Sequence, residues 1–136
     1  MSSRDVIENK ISYIRKYLSL ARKLQSKSRE EIENDTVQKA ALERYLYLIA
    51  QAVIDLAEAV VAFKKFRKPT TIRESIEILG EEGVLPPSFV REFIKIAGFR
   101  NVLAHEYGDL DFEIVYNVLK NKLKEVDQFL AYIEKI

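Results

Sequence analysis

The chain contains one histidine, His105, with Arg100 five residues before it and Tyr107 two residues after. No other stretch sets a cation, an imidazole and a phenol so close together. An imidazole, with an ordinary pKa near ~6.5, can take or give a proton at neutral pH. A guanidinium can hold two non-bridging phosphate oxygens through parallel hydrogen bonds. A phenol can contact phosphate, stack on a base, or donate a proton weakly. Together they suit RNA cleavage without a metal. There the 2′-hydroxyl attacks, a base removes its proton, an acid protonates the leaving 5′-oxygen, and a cation stabilises the charged phosphorane.

These groups must be positioned by a helix. Asn101 and His105 stand at i, i+4 and share a face, so Asn101 is expected to hydrogen-bond the imidazole and fix its tautomer. Arg100 and Tyr107, seven residues apart, also return to nearly one face. Arg100 and His105 lie about 140° apart on an ideal helix. They converge on one ligand only through the reach of the arginine or through a second chain. Gly108 is expected to end this helix, leaving Tyr107 partly exposed on its last turn.

Arg100-x4-His105-x-Tyr107, flanked by Phe99-Arg100-Asn101 and Asp109-Leu110-Asp111, resembles the signature of the HEPN superfamily. More narrowly it is similar to HepT-like ribonuclease toxins paired with minimal nucleotidyltransferase antitoxins. The resemblance implies a metal-independent endoribonuclease with Arg100 and His105 as catalytic residues and Asn101 and Tyr107 in support. It also implies a composite site at a dimer interface, and silencing by AMP transfer from the antitoxin to Tyr107. An AMP group there would occupy the phosphate site and repel RNA. Some HEPN-like bundles are instead non-catalytic, substrate- or nucleotide-binding partners of a nucleotidyltransferase. That is the alternative reading.

The 136 residues fit one domain, 1–136, and a hydrophobic share of 48% is ample for a core. A net charge of +1 announces no global attraction to nucleic acid. The absence of cysteine excludes disulfides and thiolate zinc sites. With a single histidine besides, a metal site within one subunit is not expected, and the reading needs no cofactor. The N-terminal sequence has no apolar signal core, and no uninterrupted apolar run approaches ~18 residues. A cytoplasmic protein without a membrane span is therefore expected. From Met1 to Arg29 there are eight basic residues against two acidic ones. That excess is either a solvated helix face or a track for RNA phosphates.

Apolar spacing predicts the elements. Ile7, Ile11, Ile14, Leu18 and Ala21 mark a helix from about Ser3 to Lys27. Ser28 to Asp35 reads as a connector, with Asn34 or Asp35 as N-cap of the next helix. That helix, about Thr36 to Arg67, is apolar around so much of its girth that it belongs at a bundle's centre. Within it Asp55 reads as a satisfied packing or capping partner rather than a catalytic acid. Pro69 is expected to stop the helix, with Lys64, Lys65, Arg67 and Lys68 complementing its dipole. Thr71 to Glu74 reads as a capping box opening a short helix that Gly80 ends. Pro86 and Pro87 start the helix that carries the motif. Gly98 inside it marks either close approach or a bend, or is simply tolerated. Asp109 or Asp111 caps the last helix, which runs to about Lys135. The sum is an all-α, up-and-down four-helix bundle with one extra short helix, as HEPN-like folds are.

One histidine per chain leaves acid and base work to one residue or to two copies. A two-fold homodimer would line one cleft with two Arg100 and two His105.

Overall fold

A computed structural model of the chain describes residues 3–105 and 110–136. Its helices are α1 (Ser3–Arg22), α2 (Arg29–Glu33), α3 (Thr36–Phe63), α4 (Ile72–Glu81), α5 (Pro87–Phe93), α6 (Lys95–His105), α7 (Phe112–Asn117) and α8 (Leu123–Glu134). A π-helical turn, Val118–Lys122, joins α7 to α8. Four rods result: α1, α3, the α5–α6 pair and the α7–α8 pair.

Side-chain contacts show the rods running up and down. Along α1 and α3, Tyr17 meets Tyr45 and Arg4 meets Phe63, so the two are antiparallel. Arg15 pairs with Glu134 and Arg22 with Asp127, setting α1 antiparallel to α8. Phe89 packs on Tyr132 and Phe93 on Phe129, setting α5 antiparallel to α8. Gln51 meets Arg100 across α3 and α6. The expected bundle is observed, with two short helices, α2 and α4, rather than one.

The helix starts follow their caps. Asp35 accepts from the amides of Val37 and Gln38 to open α3, and Asp111 accepts from Glu113 to open α7. Asp109, the other candidate cap, lies outside the described residues. Thr71 opens α4 by accepting from the Glu74 amide. Ser28 and Glu31 form a reciprocal capping box, which makes α2 a helix where a connector was expected.

The helix ends differ from expectation. α3 stops at Phe63, six residues before Pro69. There Lys65 takes a left-handed conformation (φ 59°), and the Phe66 amide bonds the Val61 carbonyl at 3.0 Å. This is a Schellman ending, built without glycine. α4 ends the same way at Glu81, one residue past Gly80, with Gly83 at φ 76° and the Val84 amide on the Leu79 carbonyl. Gly80 is needed for another reason: a Cβ there would sit 2.9 Å from Val90 Cγ2. The motif helix breaks at Ile94, so α5 and α6 are separate. Gly98 meets nothing within 4 Å where a Cβ would be, so no close approach among the described residues explains it.

The loop after α1 is fastened to the π-turn. Gln25 donates to the Leu119 carbonyl at 2.8 Å, Lys120 reaches the Gln25 carbonyl at 2.7 Å, and the Tyr116 hydroxyl donates to Lys27 at 2.8 Å.

α3 is the core of the bundle. Leu42, Leu46, Ile49, Val53, Leu56, Val60 and others on several of its faces are buried. By length and composition this 28-residue helix could cross a membrane, although charged residues such as Asp55 and Glu58 interrupt its apolar run. Its apolar girth is explained here by packing against α1, α4 and α6.

Candidate functional site

α6 carries Arg100, Asn101 and His105, and Ala97 anchors it to the core. Tyr107 lies outside the described residues, as do Glu106, Gly108 and Asp109. His105 is the last described residue of α6 and is exposed, while Arg100 is half-buried against α3.

Among the described residues, three hold the Arg100 side chain. Its Nε donates to Gln51 Oε1 at 2.6 Å, and Nη1 donates to Asn101 Oδ1 at 3.0 Å. Its guanidinium carbon lies 5.9 Å from the centroid of the Tyr47 ring. The other cation near that ring is Arg44, at 5.4 Å. The Gln51 amide in turn donates to Asp55 Oδ1 at 2.9 Å. The Asn101 oxygen, expected to serve the imidazole, is therefore engaged by the neighbouring guanidinium. Asp55 is satisfied, as the sequence suggested, though by the Gln51 amide rather than by packing or capping.

Tyr47, Gln51 and Arg44 were missed from sequence. A signal existed. Arg44, Tyr47, Gln51 and Asp55 recur every three or four residues along the most apolar helix of the chain. That polar line needed a partner, and α6 provides it.

Among the described residues, recesses lie on two sides of α6. A shallow one of about 260 Å³ is lined by Glu43, Arg44, Tyr47, Leu103 and Ala104 beside the Arg100 face. A groove of about 340 Å³ lies on another face, with Phe93, Ile96, Phe99, Val102 and Val118 among its lining residues. Ile114 at its edge is 49% exposed. Val102 stands one turn before His105, so the groove runs toward the histidine end of α6.

The basic excess of the N-terminal region is partly met by acids. Arg15 pairs with Glu134, Arg22 with Asp127, and Arg29 with Glu33 and Glu113. Lys16 lies 5.3 Å from the centroid of the Tyr17 ring. The solvated-face reading accounts for these arginines.

The chain matches the family described as Ribonuclease HepT-like over residues 7–133. It belongs to that family. It is 30% identical over 131 residues to the tRNA nuclease HepT of Aphanizomenon flos-aquae (strain 2012/KM1/D3), covering 96% of this chain and 87% of that protein. It is 24% identical over 130 residues to the mRNA nuclease HepT of Shewanella oneidensis, covering 96% and 97%. Its fold matches a tri-AMPylated Shewanella oneidensis HEPN toxin, solved in complex with its MNT antitoxin. The TM-score is 0.88 at 23% identity, over 100% of both chains. YutE, a cytosolic protein of Bacillus subtilis, has the same fold with a TM-score of 0.83 at 20% identity, over 97% of this chain and 88% of that one.

Proposed function

We propose that this chain is a metal-independent endoribonuclease toxin whose reacting groups are Arg100 and His105. The observation that carries the reading is the treatment of Arg100. A surface arginine ordinarily forms a loose ion pair. Among the described residues Arg100 is instead gripped by two neutral amide oxygens and an aromatic face, and none of them offers it a carboxylate. Such a cation keeps its charge for a phosphate. Family membership and the nuclease relatives support the same conclusion.

In the proposed reaction one His105 removes the 2′-hydroxyl proton, the 2′-oxygen attacks phosphorus, and the bond to the 5′-oxygen breaks. A second imidazole protonates that oxygen, leaving a 2′,3′-cyclic phosphate. Arg100 holds the non-bridging oxygens as charge builds. Arg100 and His105 sit on different faces of α6, so a two-fold homodimer best brings the needed groups together. The apolar groove running from Phe93 to Val102, with exposed Ile114 at its edge, is the surface proposed for the second copy. Tyr107 is the proposed acceptor of AMP from a nucleotidyltransferase antitoxin. The matching HEPN toxin, tri-AMPylated and bound to its antitoxin, supports this.

The test is cleavage of total RNA, in EDTA, by the wild type and by His105→Ala. Intact mass is measured first to establish whether Tyr107 is free. Cleavage by the wild type alone, with 2′,3′-cyclic ends, is expected. An unmodified dimer that leaves RNA intact would overturn the reading and favour a non-catalytic partner of a nucleotidyltransferase.

A further inference from the structure

The structure assigns Gln51 and Asp55 the part of positioning residues for Arg100: Asp55 fixes the Gln51 amide, and that amide fixes the guanidinium without neutralising it. The inference rests on the ribonuclease reading and deepens it by naming what aims its cation.

Donor and acceptor chemistry fixes the Gln51 amide. An ionised carboxylate only accepts hydrogen bonds, so the Gln51 side chain must turn its NH2 toward Asp55. Its oxygen is then left to face Arg100, where Nε donates at 2.6 Å. The orientation of the amide follows from the chemistry of its neighbours. Gln51 and Asp55 are four residues apart on α3, so one helix face presents both. Both are half-buried, and α3 is the most deeply buried helix of the bundle.

The arrangement divides the guanidinium into two edges. The Nε edge is held by Gln51, and one Nη1 hydrogen goes to Asn101. These are two of its five N–H donors. Holding Nε sets the plane of the whole group, because the guanidinium is rigid and planar. The terminal nitrogens are then aimed by α3 rather than by the flexible side chain itself.

An acid at position 51 would hold Nε as well. It would also form a charged pair that a phosphate must displace. It would place a second carboxylate one helical turn from Asp55. A neutral amide, itself oriented by the acid, gives the geometry and leaves the positive charge for the substrate. Aim matters most as charge develops on the phosphorane, so its loss should fall on kcat more than on KM.

The test uses the full-length chain with free Tyr107 and a tRNA substrate. Gln51→Leu, Gln51→Glu and Asp55→Leu are compared with the wild type for kcat, KM and thermal stability. Gln51→Leu and Asp55→Leu are expected to lower kcat about tenfold, with KM changed less than about threefold. Gln51→Glu should restore a bond to Arg100 and still leave cleavage low, with KM raised. A merely structural role predicts rescue by Gln51→Glu, and that result would overturn the proposal. So would a folded Gln51→Leu variant with wild-type kcat. A second readout is independent of cleavage: the Nε–H resonance of Arg100, assigned by its loss in Arg100→Lys. It should move in both leucine variants. If it stays in place in Gln51→Leu, the positioning is refuted whatever the activity. A wild-type chain that cleaves no RNA would sink the ribonuclease reading alone, and the resonance still decides whether Gln51 and Asp55 hold Arg100.

Discussion

Arg100 lies over the ring of Tyr47, its guanidinium carbon 5.9 Å from the centroid. The pair joins α6 to α3 through an attraction that depends on the ring face and not on the hydroxyl. Such contacts contribute about 0.5–1 kcal/mol where solvent is near. Tyr47→Leu should therefore lower the rate of RNA cleavage by roughly two- to fivefold, while Tyr47→Phe should cleave like the wild type. Steady-state assays on one RNA separate the two. Equal losses in both variants would show that the hydroxyl, not the ring, is what matters.

Gly98 offers a gain in stability. It sits inside α6 with open space where a Cβ would go. Gly98→Ala should stabilise the fold by up to about 1 kcal/mol, raising Tm by about 3 °C. Gly80→Ala should do the opposite, since its Cβ would meet Val90 Cγ2 at 2.9 Å. Calorimetry on both variants checks the contrast.

Lys65 is the non-glycine residue found at positive φ among those described, at the C-terminus of α3. A left-handed conformation costs an L-residue about 1–2 kcal/mol, and glycine escapes most of that. Lys65→Gly is expected to raise the denaturation midpoint without changing the slope. A lower midpoint would mean that the lysine side chain contributes more than its backbone strain costs.

Acid stability should depend on Arg67. It holds Glu81 through two nitrogens, at 2.8 and 3.0 Å, and also reaches Glu74. Hydrogen bonds from Arg67 lower both carboxyls below their ordinary 4.5. A carboxyl depressed by folding stabilises the protein above its unfolded pKa and stops doing so as pH falls through the folded one. Arg67→Met should thus be less stable than the wild type at pH 7. The gap should close below pH 4.5, and it should shrink in high salt at pH 7, because the cluster is exposed. Melting curves across pH 2–7 test the sign.

The sequence displayed the parts of this fold that are written locally. Thr71, Asp35 and Asp111 cap helices because an extended residue with a short acceptor side chain bonds the next free amides, and that pattern is visible in the chain. Ser28 and Glu31 carry the same information, but the polar stretch around them lacks the apolar periodicity that marks a helix. The end of α3 precedes Pro69 because Lys65 takes the left-handed conformation, and a lysine there has no signature in sequence. The break at Ile94 was equally silent. In the site, Arg100, Asn101 and His105 were legible from spacing on one helix. Gln51 was not, since its partner lies 49 residues away and only the packing of α6 on α3 brings the two together.

The π-turn at Val118–Lys122 has a consequence for motion. Its Leu119 carbonyl is satisfied by Gln25, and Lys120 and Tyr116 return bonds to the carbonyls of Gln25 and Lys27. If the middle of the C-terminal rod opened, polar groups on both sides would lose their partners at once. The end of α1 and the middle of that rod therefore belong to one cooperative opening unit. Amides between Lys23 and Lys27, though in a surface loop, should exchange with solvent on the slow timescale of the helix that holds them.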